Sequence, residues 1–208
     1  MQTQLSLMFE LQDAINTRVN DNWRQQGFEW YRAIWIECAE LMDHYGWKWW
    51  KHQRPDREQV KLELIDIWHF GLSVMLEKSV KTPSALVALE AAFNDEKVGE
   101  FRETLESFTG FALANRDFSV PLYVALLKSA DISFDDLYCG YVGKNVLNFF
   151  RQDHGYQEGS YHKVWGNRED NDHLVELMAQ LDHSDRQFTD KLYGLLQQRY
   201  LESLEKNS

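Results

Sequence analysis

The sequence predicts an all-α protein, a helical bundle with a four-helix-type core and a smaller helical segment beside it. Three observations carry that expectation. Only three prolines (Pro55, Pro83 and Pro121) interrupt 208 residues, so long stretches keep every backbone donor a helix needs. No period-2 alternation is sustained over several segments, as a sandwich or barrel would require. Apolar residues recur instead at spacings of three and four, the period of a one-sided helix. The expected organisation is a single domain over residues 1–208, with a mobile helical sub-region at about 83–131.

Leu5, Met8, Leu11, Ile15 and Val19 line one face of a first helix, from residue 4 to about 23. Beside that face Gln12 and Asn16 stack four apart. Each amide offers a donor and an acceptor, which can read a nucleobase edge; ordinary helix-surface polars look the same. After Gln25-Gln26-Gly27 a second helix is expected at about 29–45, ended by Gly46 at C′. A hinge at 47–54 mixes Trp47, Trp49 and Trp50 with Lys48, Lys51 and Arg54. Aromatic faces and cations suit a base and a polyphosphate, or a cap over one end of the bundle.

Pro55-Asp56 opens a third helix at about 56–78, in which His69 reads as a hydrogen-bonded core histidine. Thr82-Pro83-Ser84 marks a boundary, with Ser84 as an N-cap. Residues 85–115 are read as helical, with Glu90, Glu96, Glu100, Glu103 and Glu106 on a solvated face. A short helix ends near residue 129, and Ser133 and Asp136 have capping-box spacing at the start of a helix to about 152. A loop rich in glycine and aromatics spans 153–166. Helices at about 171–181 and 184–204 complete the chain.

The chemistry concentrates at residues 36–70. Glu37 and Glu40 on the second helix, and Glu63 and Asp66 on the third, form two acidic pairs, each spaced i, i+3. Residues three apart project from one strip of a helix. Both pairs are embedded among apolar residues, Ile34, Trp35, Ile36 and Leu41 around the first and Leu62, Ile65, Ile67 and Trp68 around the second, so each strip carries apolar side chains as well. Carboxylates among apolar side chains need a cation or a proton. Two facing strips would offer four oxygen donors, the ligand type that hard divalent cations such as Mg²⁺ or Mn²⁺ prefer. The four-helix-type core is therefore expected to carry a metal site. One Glu-x-x-Glu alone would be an ordinary solvated face.

A second group lies downstream. Lys144, Asn148 and Arg151 fall at i, i+4 and i+7 and so share a helix face. The loop that follows adds Tyr156 and Lys163. Cations and donors at the edge of a long loop suit a phosphate chain, and salt bridges to surface acids are the plainer alternative.

Composition removes other classes. A formal net charge of −11 argues against a nucleic-acid partner. Cys38 and Cys139 lack CxxC spacing and read as reduced core thiols. The N-terminal residues show no leader pattern, and no apolar run reaches the ~18 residues of a membrane span. A cytoplasmic protein without a membrane partner is expected.

The motifs taken together resemble the dimeric all-α dUTPases, a branch of the all-α NTP pyrophosphohydrolase superfamily. The resemblance rests on Glu-Cys-Ala-Glu-Leu at 37–41, Trp-Lys-x-Trp-Lys at 47–51 and Glu-x-x-Asp-Ile-Trp-His-Phe at 63–70. Gly-Lys-Asn-Val-Leu-Asn-x-Phe-Arg-Gln at 143–152, Gly-Tyr at 155 and Gly-Ser-Tyr at 159 continue it; residues 83–131 carry no recognised motif. It implies hydrolysis of dUTP, and of dUDP, by water attacking the α-phosphorus, with dUMP and pyrophosphate as products from dUTP. It implies Mg²⁺, with Mn²⁺ as a substitute, on Glu37, Glu40, Glu63 and Asp66, with Glu37 orienting the water. Gln12 and Asn16 would read uracil, and Trp49 and Phe70 would pack near base and sugar. Lys144, Asn148, Arg151, Tyr156 and Lys163 would bind sugar and phosphates, in a homodimer.

Three rivals stay open on the sequence. A related all-α NTP pyrophosphohydrolase with another nucleotide preference, such as dCTP, would share the acidic pairs. A di-iron carboxylate bundle would place His three residues after Glu on two helices, where this chain has Glu40 and Asp66. A non-catalytic nucleotide-binding protein would keep the site without the reaction.

Overall fold

The computed structural model describes residues 1–79, 83–95, 98–183 and 185–205. Among these residues lie nine α-helices: α1 (Gln2–Val19), α2 (Trp30–Tyr45), α3 (Arg57–Glu77), α4 (Pro83–Asn94), α5 (Phe101–Asn115), α6 (Val120–Ser129), α7 (Phe134–Asp153), α8 (Asp170–Met178) and α9 (Phe188–Glu205). A 3₁₀ turn at Trp23–Gln25 and a small hairpin, β1 (Val164–Trp165) with β2 (Arg168–Glu169), complete the regular structure. The all-α expectation holds. No helix among the described residues is long and apolar enough to cross a membrane.

The chain forms two compact units. The first comprises Met1–Ala14 and Asn22–Tyr141, the second Ile15–Asp21 and Val142–Ser208.

In the first unit α2 and α3 form the most extensive helix pairing. Helix α3 is apolar around most of its circumference, from Val60 to Leu76, so it is buried on all sides rather than on one stripe. Asp56 starts it, accepting from the Gln59 N–H at 3.3 Å. Trp68 lies at the centre of the core, stacked on Tyr123 at 5.1 Å with Phe93 and Phe118 edge-on. Gly71 is needed where a Cβ would stand 2.5 Å from the Phe118 ring. Gly46 ends α2 at φ 94°, and Gln53 then gathers the next turn by accepting from the N–H groups of Trp47 and Lys48. At the start of α7 the Ser133–Asp136 capping box forms in both directions, at 3.1 and 3.2 Å.

The second unit centres on aromatic packing. Phe150, Tyr161, Trp165, Tyr193 and Tyr200 meet edge-to-face or stacked. Met178 fills the space against Gly143.

Several sequence boundaries are corrected. α1 ends at Val19, and Trp23 belongs to a separate 3₁₀ turn whose indole donates to Asp13. The expected helix over 85–115 is two helices, because Glu100 caps α5 by accepting from the Glu103 N–H. Ser84 lies inside α4 rather than capping it. Glu96 and Ser184 fall outside the described residues. The loop after α7 is partly folded: Gly166 and Asn167, at φ 57° and 70°, make the two-residue turn with both central φ positive that suits a tight hairpin. α8 begins at Asp170 and α9 at Phe188.

Candidate functional site

Within the first unit, α2 carries Glu37 and Glu40 and α3 carries Glu63 and Asp66. One carboxylate oxygen each from Glu37, Glu63 and Asp66 lies within 4.8 Å of the others. Glu63 is buried, Glu37 and Asp66 are half-buried, and Glu40 stands at the exposed edge, outside that group of three. Burial, the charge of Asp66, a hydrogen bond and charge from Glu63, and the charge of Glu40 push the Glu37 carboxyl up to about 9. Like charges held so close cannot all ionise without a counter-ion. The donor set is all oxygen, so it fits a hard divalent cation such as Mg²⁺ or Mn²⁺. The chemistry of thiolate-rich or imidazole-rich sites does not suit it.

His44 is a member of this neighbourhood that the sequence reading missed. Its Nε2 lies 3.5 Å from Glu63 Oε1. The signal was present: His44 follows Glu40 by four and Glu37 by seven, on the same strip of α2.

Gln12 is buried, and both ends of its amide are held. Its Oε1 lies 2.7 Å from His69 Nδ1 and 3.1 Å from the Tyr141 hydroxyl, while its Nε2 donates to Ser73 Oγ at 3.1 Å. Since that oxygen can only accept, the His69 hydrogen sits on Nδ1. His69 also stacks on Tyr141 at 4.2 Å, the hydrogen-bonded core histidine that the sequence suggested. Ser73 and Tyr141 were not anticipated; nothing in their spacing marks them.

Phe70 is half-buried and lies tilted against Trp30 at 6.3 Å. The indole Nε1 of Trp30 is buried and has no hydrogen-bond partner among the described residues. A buried donor of this kind is costly unless something accepts from it. Trp49, by contrast, is 90% exposed and touches Trp50 edge-on at 5.4 Å.

The second unit holds the remaining candidates. Asn16 and Lys144 are buried, and Lys144 Nζ donates to Asn171 Oδ1 at 3.0 Å. Arg151 forms a two-pronged ion pair with Asp170 through Nε and Nη2, each at 2.8 Å, and its Nη1 donates to Asn148 Oδ1 at 3.3 Å. The exposed Tyr156 ring lies 5.7 Å from the Arg151 guanidinium carbon. Lys163 pairs with Glu169 at 3.0 Å, both half in solvent. Lys144, Asn148 and Arg151 thus share the α7 face that their spacing indicates, with Asp170 and Asn171 of α8 as partners of Lys144 and Arg151.

Comparison with known proteins gives one finding at the level of family. A family model described as dUTPase matches residues 4–156. No curated protein matches the chain.

Proposed function

Since the chain belongs to the dUTPase family and is a dUTP diphosphatase, we propose that it hydrolyses dUTP, and dUDP as well, in a metal-dependent reaction with water attacking the α-phosphorus. The observation that carries the metal dependence is the three-carboxylate cluster of Glu37, Glu63 and Asp66. These residues, with Glu40 at the rim, would hold Mg²⁺, for which Mn²⁺ could substitute. Once bound, such a cation neutralises phosphate charge and acidifies a coordinated water. Glu37 is the acid whose carboxylate would accept the proton of the attacking water. Without a cation that carboxyl is pushed up to about 9 and holds its proton; a divalent cation at these ligands would favour the ionised form that can accept one. Water adds to the α-phosphorus, the bridging oxygen leaves with pyrophosphate, and dUMP remains.

On this reading Gln12 and Asn16 recognise uracil, whose edge combines two carbonyl acceptors with one N–H donor. The buried network around Gln12 bears on this reading by fixing the orientation of its amide through His69, Tyr141 and Ser73. Phe70 and Trp49 would lie against base and sugar, and Lys144, Asn148, Arg151, Tyr156 and Lys163 against sugar and phosphates. The proposal includes a homodimer. Light scattering should then return about twice the 24.7 kDa of one chain.

The deciding experiment is pyrophosphate release from a panel of nucleoside triphosphates, with and without Mg²⁺. Release from dUTP that disappears on chelation and returns with Mg²⁺ is the expected outcome. Undiminished release in a chelator would refute the metal dependence, and comparable turnover of dCTP or dTTP would refute the uracil assignment.

A further inference from the structure

Asp170 is the first residue of α8 and is 0% exposed. Nothing in its local sequence, Arg-Glu-Asp-Asn-Asp, distinguishes it from the acids on either side, the exposed Glu169 and the half-buried Asp172. Its environment does. Oδ2 accepts from Arg151 Nε and from the Tyr161 hydroxyl, both at 2.8 Å, and Oδ1 accepts from Arg151 Nη2 at 2.8 Å. Its backbone N–H donates to the Lys163 carbonyl at 2.9 Å. One residue therefore ties down α7 through Arg151, the loop through Tyr161, and the start of the hairpin through Lys163. Burial alone would raise its carboxyl, yet the bonds and charge of Arg151, the Tyr161 hydroxyl and the charge of Lys144 hold it below the usual carboxylate range.

The two acid–cation pairs of this unit differ in kind. Lys163–Glu169 is half exposed, so either partner can exchange for solvent or a ligand at little cost. Arg151–Asp170 is desolvated, and taking one member away strands the other. Lys163 can therefore swing to a ligand, whereas Arg151 has to be in place before a ligand arrives. A carboxylate gripping Nε and Nη2 fixes the plane of the guanidinium, because both prongs must be satisfied together. The opposite edge, Nη1, is thereby turned to Asn148, with the exposed ring of Tyr156 alongside.

We propose that Asp170 is a positioning residue: it does not touch substrate, but holds the guanidinium of Arg151 in the one plane that meets the triphosphate, with Tyr161 as its second support. The inference rests on Arg151 being a phosphate contact, as the proposed function has it. Pre-orienting a donor fork removes the ordering cost of a flexible cation at the moment of binding. The same residue, by fixing the Lys163 carbonyl, anchors the base of a side chain whose tip is paired with Glu169 half in solvent.

The test compares ligands with and without phosphates, in the full chain with Mg²⁺ present throughout. Dissociation constants are measured for α,β-imido-dUTP and for 2′-deoxyuridine with the parent, Asp170→Asn, Tyr161→Phe and Arg151→Lys. Asp170→Asn should weaken the imido nucleotide by about 10- to 100-fold and Tyr161→Phe by roughly threefold, with deoxyuridine binding unchanged. Asp170→Asn combined with Arg151→Lys should lose little more than either alone, because both break one device. Should Asp170→Asn not fold, Tyr161→Phe decides by itself, since it removes a single hydroxyl and no charge. Equal weakening of both ligands would mean a structural role only, and unchanged binding in both Asp170→Asn and Tyr161→Phe would also overturn the inference. If Arg151→Lys weakens the imido nucleotide while Asp170→Asn and Tyr161→Phe do not, the inference fails and the phosphate role of Arg151 stands. If Arg151→Lys has no effect, that role fails first, while turnover of dUTP by the parent enzyme still judges the function separately.

Discussion

Glu37 combines two demands that a carboxylate rarely meets together. It is half-buried beside Asp66, Glu63 and Glu40, so without a cation it keeps its proton up to about pH 9. Replacing it by Gln mimics that protonated state. Glu37→Gln should thus make the metal-free protein more stable than the parent already at neutral pH, because the parent has to take up a proton at Glu37 to fold and glutamine does not. That advantage should be absent near pH 4, grow up to about pH 9 and level off above it, where the parent ionises Glu37 in the folded state as well. Activity should fall on the order of 100-fold or more, as losing a general base does. Thermal melts and dUTP turnover on the same samples check both halves; a variant that is inactive and also unstable at neutral pH would contradict the account. At this scale the acids were legible, because i, i+3 spacing among apolar residues is itself a buried-carboxylate pattern. Tyr141 and Ser73 were not, since they meet Gln12 only through tertiary packing across 129 and 61 positions of sequence.

Elements obey signals of unequal strength. The caps of α3 and α7 and the glycine end of α2 are written in local sequence, and they form as the residues suggest. The break between α4 and α5 is written less plainly, because glutamate is a poor advertisement for an N-cap and the helix breakers around it, Asn94, Asp95 and Gly99, are scattered rather than clustered. The hairpin was legible in principle: Gly166-Asn167 between Trp165 and Arg168 is a known two-residue turn signal, outweighed by the length of the surrounding loop. Close helix contact likewise hides in single residues. Gly71 sits where the Phe118 ring presses on α3, and that ring is itself wedged against Trp68, Phe108 and Tyr123. Gly71→Ala should therefore destabilise the fold by about 1–3 kcal/mol despite the better helix propensity of alanine. Gly110→Ala on α5, where a Cβ meets nothing within 4 Å, is the matched control and should be neutral or stabilising. Urea midpoints for the pair measure the difference, and a stabilised Gly71→Ala would refute the packing argument.

For the molecule as a whole, charge and metal act on one balance. The chain carries a net charge of −11, and the carboxylates of α2 and α3 bring that repulsion to its densest point. A carboxyl whose folded value is raised binds more protons folded than unfolded over the interval between about 4.5 and about 9. Stability of the metal-free protein must then fall as pH rises through that interval. A divalent cation reverses the sign, since it binds the ionised ligands and competes with the proton. Stabilisation by Mg²⁺ should accordingly be small near pH 6 and grow toward pH 8.5, as proton competition at Glu37 fades. At a hundredfold excess over its Kd the ion contributes about 2.7 kcal/mol, or roughly 5–10 °C in Tm for a chain of this length. The growth with pH is what separates site binding from general screening, because screening of a polyanion by salt has no reason to follow one carboxyl. Glu63→Gln and Asp66→Asn should abolish the Mg²⁺ shift while removing part of the repulsion, so the metal-free variants melt later than the metal-free parent at pH 8.5. A Mg²⁺ shift equal at both pH values, or one that survives in both variants, would place the cation somewhere other than between α2 and α3.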